Sequence, residues 1–263
     1  MAYSTRHSSQ PLVSIITPTR NRESRHPFIH NCVKHQDWPA IEWLVDDDSD
    51  HPSSVLSSAR GRRLVYQFSS VRRTIGDKRN NLVAKAQGDY IVHFDDDDYY
   101  SPNYVSTMID YMNAASADLC KLSGTFIYDQ GLEKLFYWDQ TKAEHLFYNC
   151  DPGAPLSYTI SPIATRSVGR RHRLGYGYSY VYRRRVWDQF KFPSLDFAED
   201  LDFMVRASAE HRAEFLQDSR GLCLHVIHEQ NQSGARPQYL LPDVLLDVIF
   251  PGVRNTLSGG RQP

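Results

Sequence analysis

Four consecutive aspartates, Asp95 to Asp98, follow the apolar run YIVHF and precede YYSP. Adjacent carboxylates repel, and without a counter-charge one or more is driven toward its neutral form. A bound divalent cation reverses that logic and keeps them ionised. Carboxylate oxygens at a strand end suit Mg²⁺ or Mn²⁺, which retain phosphate oxygens among their ligands. A second acid pair, Glu199 and Asp200, opens FAEDLDFMVRASA. It could accept a proton from a hydroxyl, or simply complement the positive end of a helix. Downstream, CLHVIHEQNQS carries His225 and His228. The stretch RSVGRRHRLGYGYSYVYRRR holds Arg166, Arg170, Arg171, Arg173, Arg183, Arg184 and Arg185 and no acid. Its Tyr176, Tyr178, Tyr180 and Tyr182 alternate, so a strand would set them on one face. The stretch reads as a solvated loop before a half-buried strand, or as a loop closing on a diphosphate beside a tyrosine surface for an acceptor.

These residues need elements to hold them. Val13 to Ile16 is a β-branched run suited to a strand buried on both faces, broken by Thr17-Pro18-Thr19. Ile41 to Val45 runs as a strand into Asp46, Asp47 and Asp48, and Arg62 to Ser69 reads as a third strand. Phe28 to His35 reads as a helix. IGDKRNNLVAKAQG reads as another, with Leu82, Val83 and Ala86 on one face and Gly88 as its stop. Tyr90 to Phe94 is a fourth strand. Ser101 is placed to cap a helix with Pro102 at its first position, followed by the stripe Val105, Met108, Ile109, Met112. Alternating strands and helices predict a mainly parallel sheet with helices on both faces. Ligands of such sheets bind outside the carboxyl ends of the strands. That puts residues 18–22, 46–49 and 95–98 on one rim. Leu119 to Tyr128 and Leu135 to Trp138 read as strands joined by a turn, and residues 149–173 as a long loop.

Composition narrows the function classes. The 263 residues are 41% hydrophobic and 23% charged, so a substantial core needs no disulfide or structural metal. The net charge of −1 argues against a chain-wide grip on nucleic acid. Cys32, Cys120, Cys150 and Cys223 lack C-x-x-C spacing, which disfavours a zinc site and fits a reducing compartment. The polar start MAYSTRHSSQ has no apolar h-region, and no apolar run reaches membrane-spanning length. A cytoplasmic protein, open to peripheral contact with a membrane surface, is the expectation, with a tail over residues 1–10.

The set VSIITPTRNR, WLVDDDS, IGDKRNNLVAKAQGDYIVHFDDDDYYSP, YRRRVW and FAEDLDF, in this order, resembles the family 2 glycosyltransferases with the GT-A fold. The resemblance covers residues 11 to 233. It implies one α/β domain over 11–255, with 11–102 as the nucleotide-binding half and 103–255 as the acceptor-binding half. It also implies a nucleotide-sugar donor, UDP-linked by resemblance alone, a glycan or other hydroxyl acceptor, a divalent cation (Mn²⁺ or Mg²⁺) and inversion at the sugar. On that basis Pro18, Thr19, Arg20 and Arg22 lie along the nucleotide. Asp47 contacts the base or ribose, Arg79 is the best contact from its helix, and Asp95 and Asp96 complete the nucleotide side. The D-x-D motif falls on Asp95 and Asp97, open by one residue within the run, with Asp97 the leading metal ligand and His228 a further one. Asp200, beside Glu199, is the implied base. Arg171, Arg173, Tyr176 and Tyr178 are the implied diphosphate loop and acceptor surface. Arg20 stands where the family often has an aromatic, and Asp48 where it has a small residue. Two other classes share parts of this pattern. A sugar-phosphate nucleotidyltransferase wants a glycine-rich loop after the first strand, and TPTRNR has none. A non-catalytic metal- or glycan-binding module would not need Asp200.

Overall fold

The computed structural model describes residues 10–59, 63–142, 146–160 and 173–257. Residues 1–9 of the expected tail, and Arg166, Arg170 and Arg171, lie outside them. The first half alternates strand and helix: β1 (Val13–Thr19), α1 (His26–Lys34), β2 (Ile41–Asp47), α2 (Ser54–Ser58), β3 (Arg63–Phe68), α3 (Ile75–Lys85) and β4 (Tyr90–His93). β1 lies between β2 and β4, and β2 pairs with β3, all parallel. The mainly apolar runs that begin β1 and β2 suit strands covered on both faces, and the charge within them, buried Glu42, accepts from Ser14 Oγ at 2.7 Å. Alternate side chains serve two cores. Val13, Ile15, Trp43 and Val45 pack toward Ile29 and Met108, whereas Ile16 and Leu44 meet Leu82 and Val83 of α3.

The second half adds β5 (Tyr99–Tyr100), α4 (Tyr104–Ala114), β6 (Leu119–Asp129), β7 (Lys134–Asp139), the hairpin β8 (Leu146–Asn149) and β9 (Ser157–Ile160), and β10 (Val181–Arg183). Then come α5 (Arg184–Gln189), α6 (Glu199–Glu210), β11 (Ala213–Gln217), β12 (Cys223–Ile227), β13 (Tyr239–Leu241), α7 (Val244–Ile249) and α8 (Val253–Leu257). β10 is antiparallel to both β4 and β6, and so joins the two halves in one sheet. Around β6 the sheet is mixed: β11 and β12 run parallel to it and β7 antiparallel.

Several local expectations are corrected. Pro18 does not break β1, since the strand continues opposite Asp46 and Asp47. β4 reaches only as far as Ile16, so the missing proline N–H costs no ladder bond on that side. Gly88 does not stop α3, whose cap is Ala86. It lies instead where a Cβ would meet Ser14 N at 2.7 Å and Leu12 O at 2.8 Å. α4 is capped at Asn103 rather than Ser101, because residues 101–103 form a turn closed by Tyr104 N to Ser101 O at 3.0 Å. The expected loop at 149–173 contains β9. The four tyrosines share no strand: Gly177–Ser179 is a 3₁₀ turn, and only Tyr182 lies within β10.

Candidate active site

Because β4 ends at His93, opposite Ile16 of β1, the chain beyond both strands is free to open into a crevice. A cavity of about 730 Å³ occupies that rim. It is lined from the first half by Pro18, Thr19, Arg20, Arg22, Arg72, Arg73, Lys78 and Arg79 and by Asp95, Asp96 and Asp97. From the second half come Tyr176, Gly177, Tyr178, Phe197, Glu199, Asp200, His225 and Asn231. Eleven residues named from the sequence thus share one cavity with Tyr176 and Tyr178: Pro18, Thr19, Arg20, Arg22, Arg79, Asp95, Asp96, Asp97, Glu199, Asp200 and His225.

The four aspartates diverge. Asp95 faces Arg79 Nη2 at 3.5 Å. Asp96 accepts from Thr19 Oγ1 at 2.5 Å. Asp97 Oδ2 lies 2.7 Å from Arg22 Nη1, 3.0 Å from His228 Nε2 and 3.4 Å from Asn231 Nδ2. Asp98, fully buried, accepts from Val226 N and meets His225 Nδ1, both at 2.9 Å. Asp98 is therefore a structural anchor, and the stacking of His225 on the Tyr178 ring at 4.5 Å reinforces it. Burial pushes Asp95 up to about 8; Arg79 opposes this, and the charges of Asp98, Asp97 and Asp96 add to it. Burial and the charge of Asp97 raise Asp96. Burial would raise Asp97 too, but the His228 hydrogen bond and the Arg22 charge outweigh it and hold Asp97 below the usual carboxylate range. The run is thus split, with Asp97 shifted down and Asp95, Asp96 and Asp98 shifted up, as expected of adjacent buried carboxylates.

Among the described residues no group of three or more His, Cys, Asp or Glu side chains is arranged to hold a metal ion. Two donors do converge: Asp97 Oδ2 and His228 Nε2 both face Arg22 Nη1, at 2.7 and 3.0 Å, so a cationic group already stands between them. Asp95 does not join them.

Arg79 is buried yet spends little of its donor capacity. Its Nη1 lies 3.5 Å from Glu199, while Nη1 and Nε have no hydrogen-bond partner. Burial lowers its basicity, but Glu199, Asp95 and Asp200 more than compensate, so the guanidinium stays charged. A buried cation with free donors on a cavity wall suits an anion such as a diphosphate. Burial raises Glu199, against the pull of Arg79. Asp200, at the start of α6, accepts from Gly177 N at 2.6 Å and from its neighbour Leu201 N at 2.7 Å, one to each oxygen. Ala198 ahead of this pair is left-handed at φ 62°, and so turns the chain into α6 toward the cavity.

Other residues named from the sequence lie elsewhere. Asp47 is fully buried, with its carboxylate on Ser49 and, at 2.7 Å, on Tyr66 Oη; it does not line the cavity. Arg173 stacks over the Phe215 ring at 4.6 Å and does not line it either. Tyr178, although part of the cavity wall, is buried against Thr125 and His225, so it is framework rather than an open platform. Arg73 and Lys78 were missed. Arg73 pairs with Asp46, and Lys78 with Asp48 at 2.7 Å, so two of the three aspartates at the end of β2 position cationic side chains of the cavity wall. The sequence signal was the excess of acid at 46–48 facing the basic run 72–79.

The architecture is similar to that of solved glycosyltransferases. It superimposes on S. aureus TarS 1-349 in complex with UDP-GlcNAc with TM-score 0.63 at 19% identity, covering 84% of this chain and 60% of that one. It also matches the mannosyltransferase PcManGT from Pyrobaculum calidifontis, in complex with GDP-Man and Mn²⁺, with TM-score 0.58 at 15% identity, covering 86% and 59%. The chain therefore spans about three-fifths of either solved chain. Among curated sequences, WcaA of Escherichia coli (strain K12), whose name assigns it to colanic acid biosynthesis as a glycosyl transferase, is 23% identical over 237 residues, 88% of this chain and 78% of WcaA. The sequence profile of glycosyl transferase family 2 matches residues 14–186. With that match over most of its length and the GT-A architecture around the rim, the chain belongs to glycosyl transferase family 2, a family of glycosyltransferase enzymes.

Proposed function

We propose that this enzyme transfers a sugar from a UDP-sugar to an acceptor hydroxyl, with inversion at the sugar carbon and with a divalent cation. The observation that carries the reading is the meeting in one cavity of Asp97, Arg79 and Asp200, drawn from the segment after β4, from α3 and from α6. Arg79 offers unspent donors to a diphosphate. Thr19, Arg20 and Arg73 line the same wall for the nucleoside. TarS binds UDP and UDP-GlcNAc, and PcManGT binds GDP-Man and Mn²⁺, which supports both a nucleoside-diphosphate donor and a cation.

Asp97 and His228 would hold Mn²⁺ or Mg²⁺, with Arg22 releasing its contact to them. When bound, such an ion offsets charge on the departing diphosphate. Asp200 has one N–H donated to each oxygen, so its carboxylate is fixed in orientation on the cavity wall. There it accepts the acceptor hydroxyl's proton. The acceptor oxygen forms its bond to the anomeric carbon as the bond to the diphosphate oxygen breaks, and attack from the face opposite the leaving group inverts that carbon.

The test is incubation with a panel of nucleotide sugars and Mn²⁺, followed by assay of free nucleoside diphosphate. Release of UDP from a UDP-sugar supports the reading. Exchange of pyrophosphate into donor would favour a nucleotidyltransferase, and absence of any turnover a binding module. In the described residues no helix is long and apolar enough to cross a membrane.

A further inference from the structure

Lys121 is fully buried in β6. Its Nζ donates to Gln140 Oε1 at 2.9 Å and to the Gly175 carbonyl at 2.8 Å, both neutral acceptors. A buried ammonium is costly, and an unbranched apolar side chain would fill this position without that cost. The sheet does not need the group, because β6 is paired along its length with β7, β10, β11 and β12. What the ammonium holds is the segment just before β10. One residue after Gly175, Tyr176 is left-handed at φ 65°. One residue later, Gly177 N donates to Asp200 Oδ2 at 2.6 Å. Tyr180 Oη ties the same segment to itself at Leu174 O and to the Asp200 carbonyl at 3.2 Å. There is no slack at this contact: a Cβ on Gly177 would lie 2.8 Å from Asp200 Cβ.

We propose that Lys121 is a positioning residue for sugar transfer: by fixing the Gly175 carbonyl it aims the Gly177 N–H at Asp200 Oδ2 and so sets the carboxylate in the cavity. The inference rests on Asp200 being the base. It adds a residue that never touches substrate and that lies on a strand remote from every motif in the sequence.

Lys121→Met keeps the side-chain length and removes the donor. By hydrogen exchange, amides of residues 174–180 should open about tenfold faster, while those of β1 and β4 change by less than about twofold. With UDP-N-acetylglucosamine and Mn²⁺ as the probe, kcat should fall by about 10²-fold, the scale of a 1 Å misplacement, with the donor KM held within about twofold. Placed on Asp200→Asn, the same substitution should cost no further turnover, because both act through one carboxylate. Unchanged exchange at 174–180, or a full additional loss on the Asn background, would overturn the proposal. If the wild type does not turn over this donor, the UDP-sugar of the panel that it does turn over takes its place; turnover of none counts against the proposed function, and the exchange measurement alone then decides Lys121. If Lys121→Met does not fold, Lys121→Gln, which is shorter and uncharged, carries the same measurements.

Discussion

Replacing Gly177 by alanine tests the geometry around Asp200 with a single methyl group. The new Cβ would stand 2.6 Å from Arg79 Nη1, 2.8 Å from Asp200 Cβ and 3.0 Å from Asp200 Oδ2. Ordinary contact begins near 3.4 Å, so Asp200 must give by roughly 0.6 Å and the guanidinium by roughly 0.8 Å. Both neighbours are held. Arg79 is wedged between Asp95 and Glu199 against the Phe192 ring, and Asp200 is fixed by Gly177 N and Leu201 N. Overpacking of this kind costs about 1–3 kcal/mol of stability. In a domain of this size that lowers Tm by only about 2–4 °C per kcal/mol. The catalytic cost should be larger: a displacement approaching 1 Å at the base is worth about 10²-fold in turnover. The assay is steady-state release of UDP from a UDP-sugar with Mn²⁺, beside calorimetry of UDP. We expect kcat to collapse and UDP affinity to fall by less than about tenfold, since only Arg79 links this site to the nucleotide side. A variant with wild-type turnover would refute the reasoning, because Asp200 could then move without consequence.

Asp97→Ala should fold normally yet lose at least about tenfold in UDP affinity with Mn²⁺, about 1.4 kcal/mol, and calorimetry showing no effect of either the variant or a chelator would remove Asp97 from the cation site. Gly88→Ala should destabilise by at least about 1–3 kcal/mol in denaturant melts, because its Cβ would meet backbone atoms, Ser14 N at 2.7 Å and Leu12 O at 2.8 Å, that cannot swing away. Lys121 is lowered to about 7 by burial, with Asp200 opposing that shift and Arg173 adding to it. Between pH 7 and its unfolded value near 10.4 the unfolded chain binds the extra proton. The burial penalty is therefore fully present below pH 7 and is relieved as pH rises, with a slope of up to about 1.4 kcal/mol per unit that Lys121→Met should abolish.

The nucleotide half was legible because its strands are mainly apolar runs that end in charge. Once Val13 to Ile16, Ile41 to Val45 and Tyr90 to Phe94 are read as parallel strands, their acidic ends must share a rim. The same burial hid the role of each aspartate. A strand covered on both faces gives no polar alternation, so nothing in WLVDDDS says that Asp47 turns to Ser49 and Tyr66 while Asp46 and Asp48 hold Arg73 and Lys78. Tyr176 to Tyr182 misled for a different reason. Alternating tyrosines suggest a strand, but the left-handed Tyr176 and the 3₁₀ turn at Gly177–Ser179 arise from tertiary contacts with Asp200 and Lys121. In the loop expected at 149–173, the Asp-Pro-Gly-Ala-Pro composition concealed that the turn joins two short strands, β8 and β9. Lys121 had no signal at all, since one lysine in an apolar strand looks like an edge or a solvent face.

The most direct test of Asp200 as the base is the transfer rate of Asp200→Asn under conditions in which the donor is bound. Asparagine nearly preserves shape and can still accept from Gly177 N or Leu201 N through its carbonyl oxygen, but it cannot take the acceptor's proton. That role predicts a fall in transfer of on the order of 10²–10⁴-fold with metal-dependent UDP binding retained. Near-normal transfer by this variant would contradict it, and would leave Glu199 and Asp200 as charges at the start of a helix.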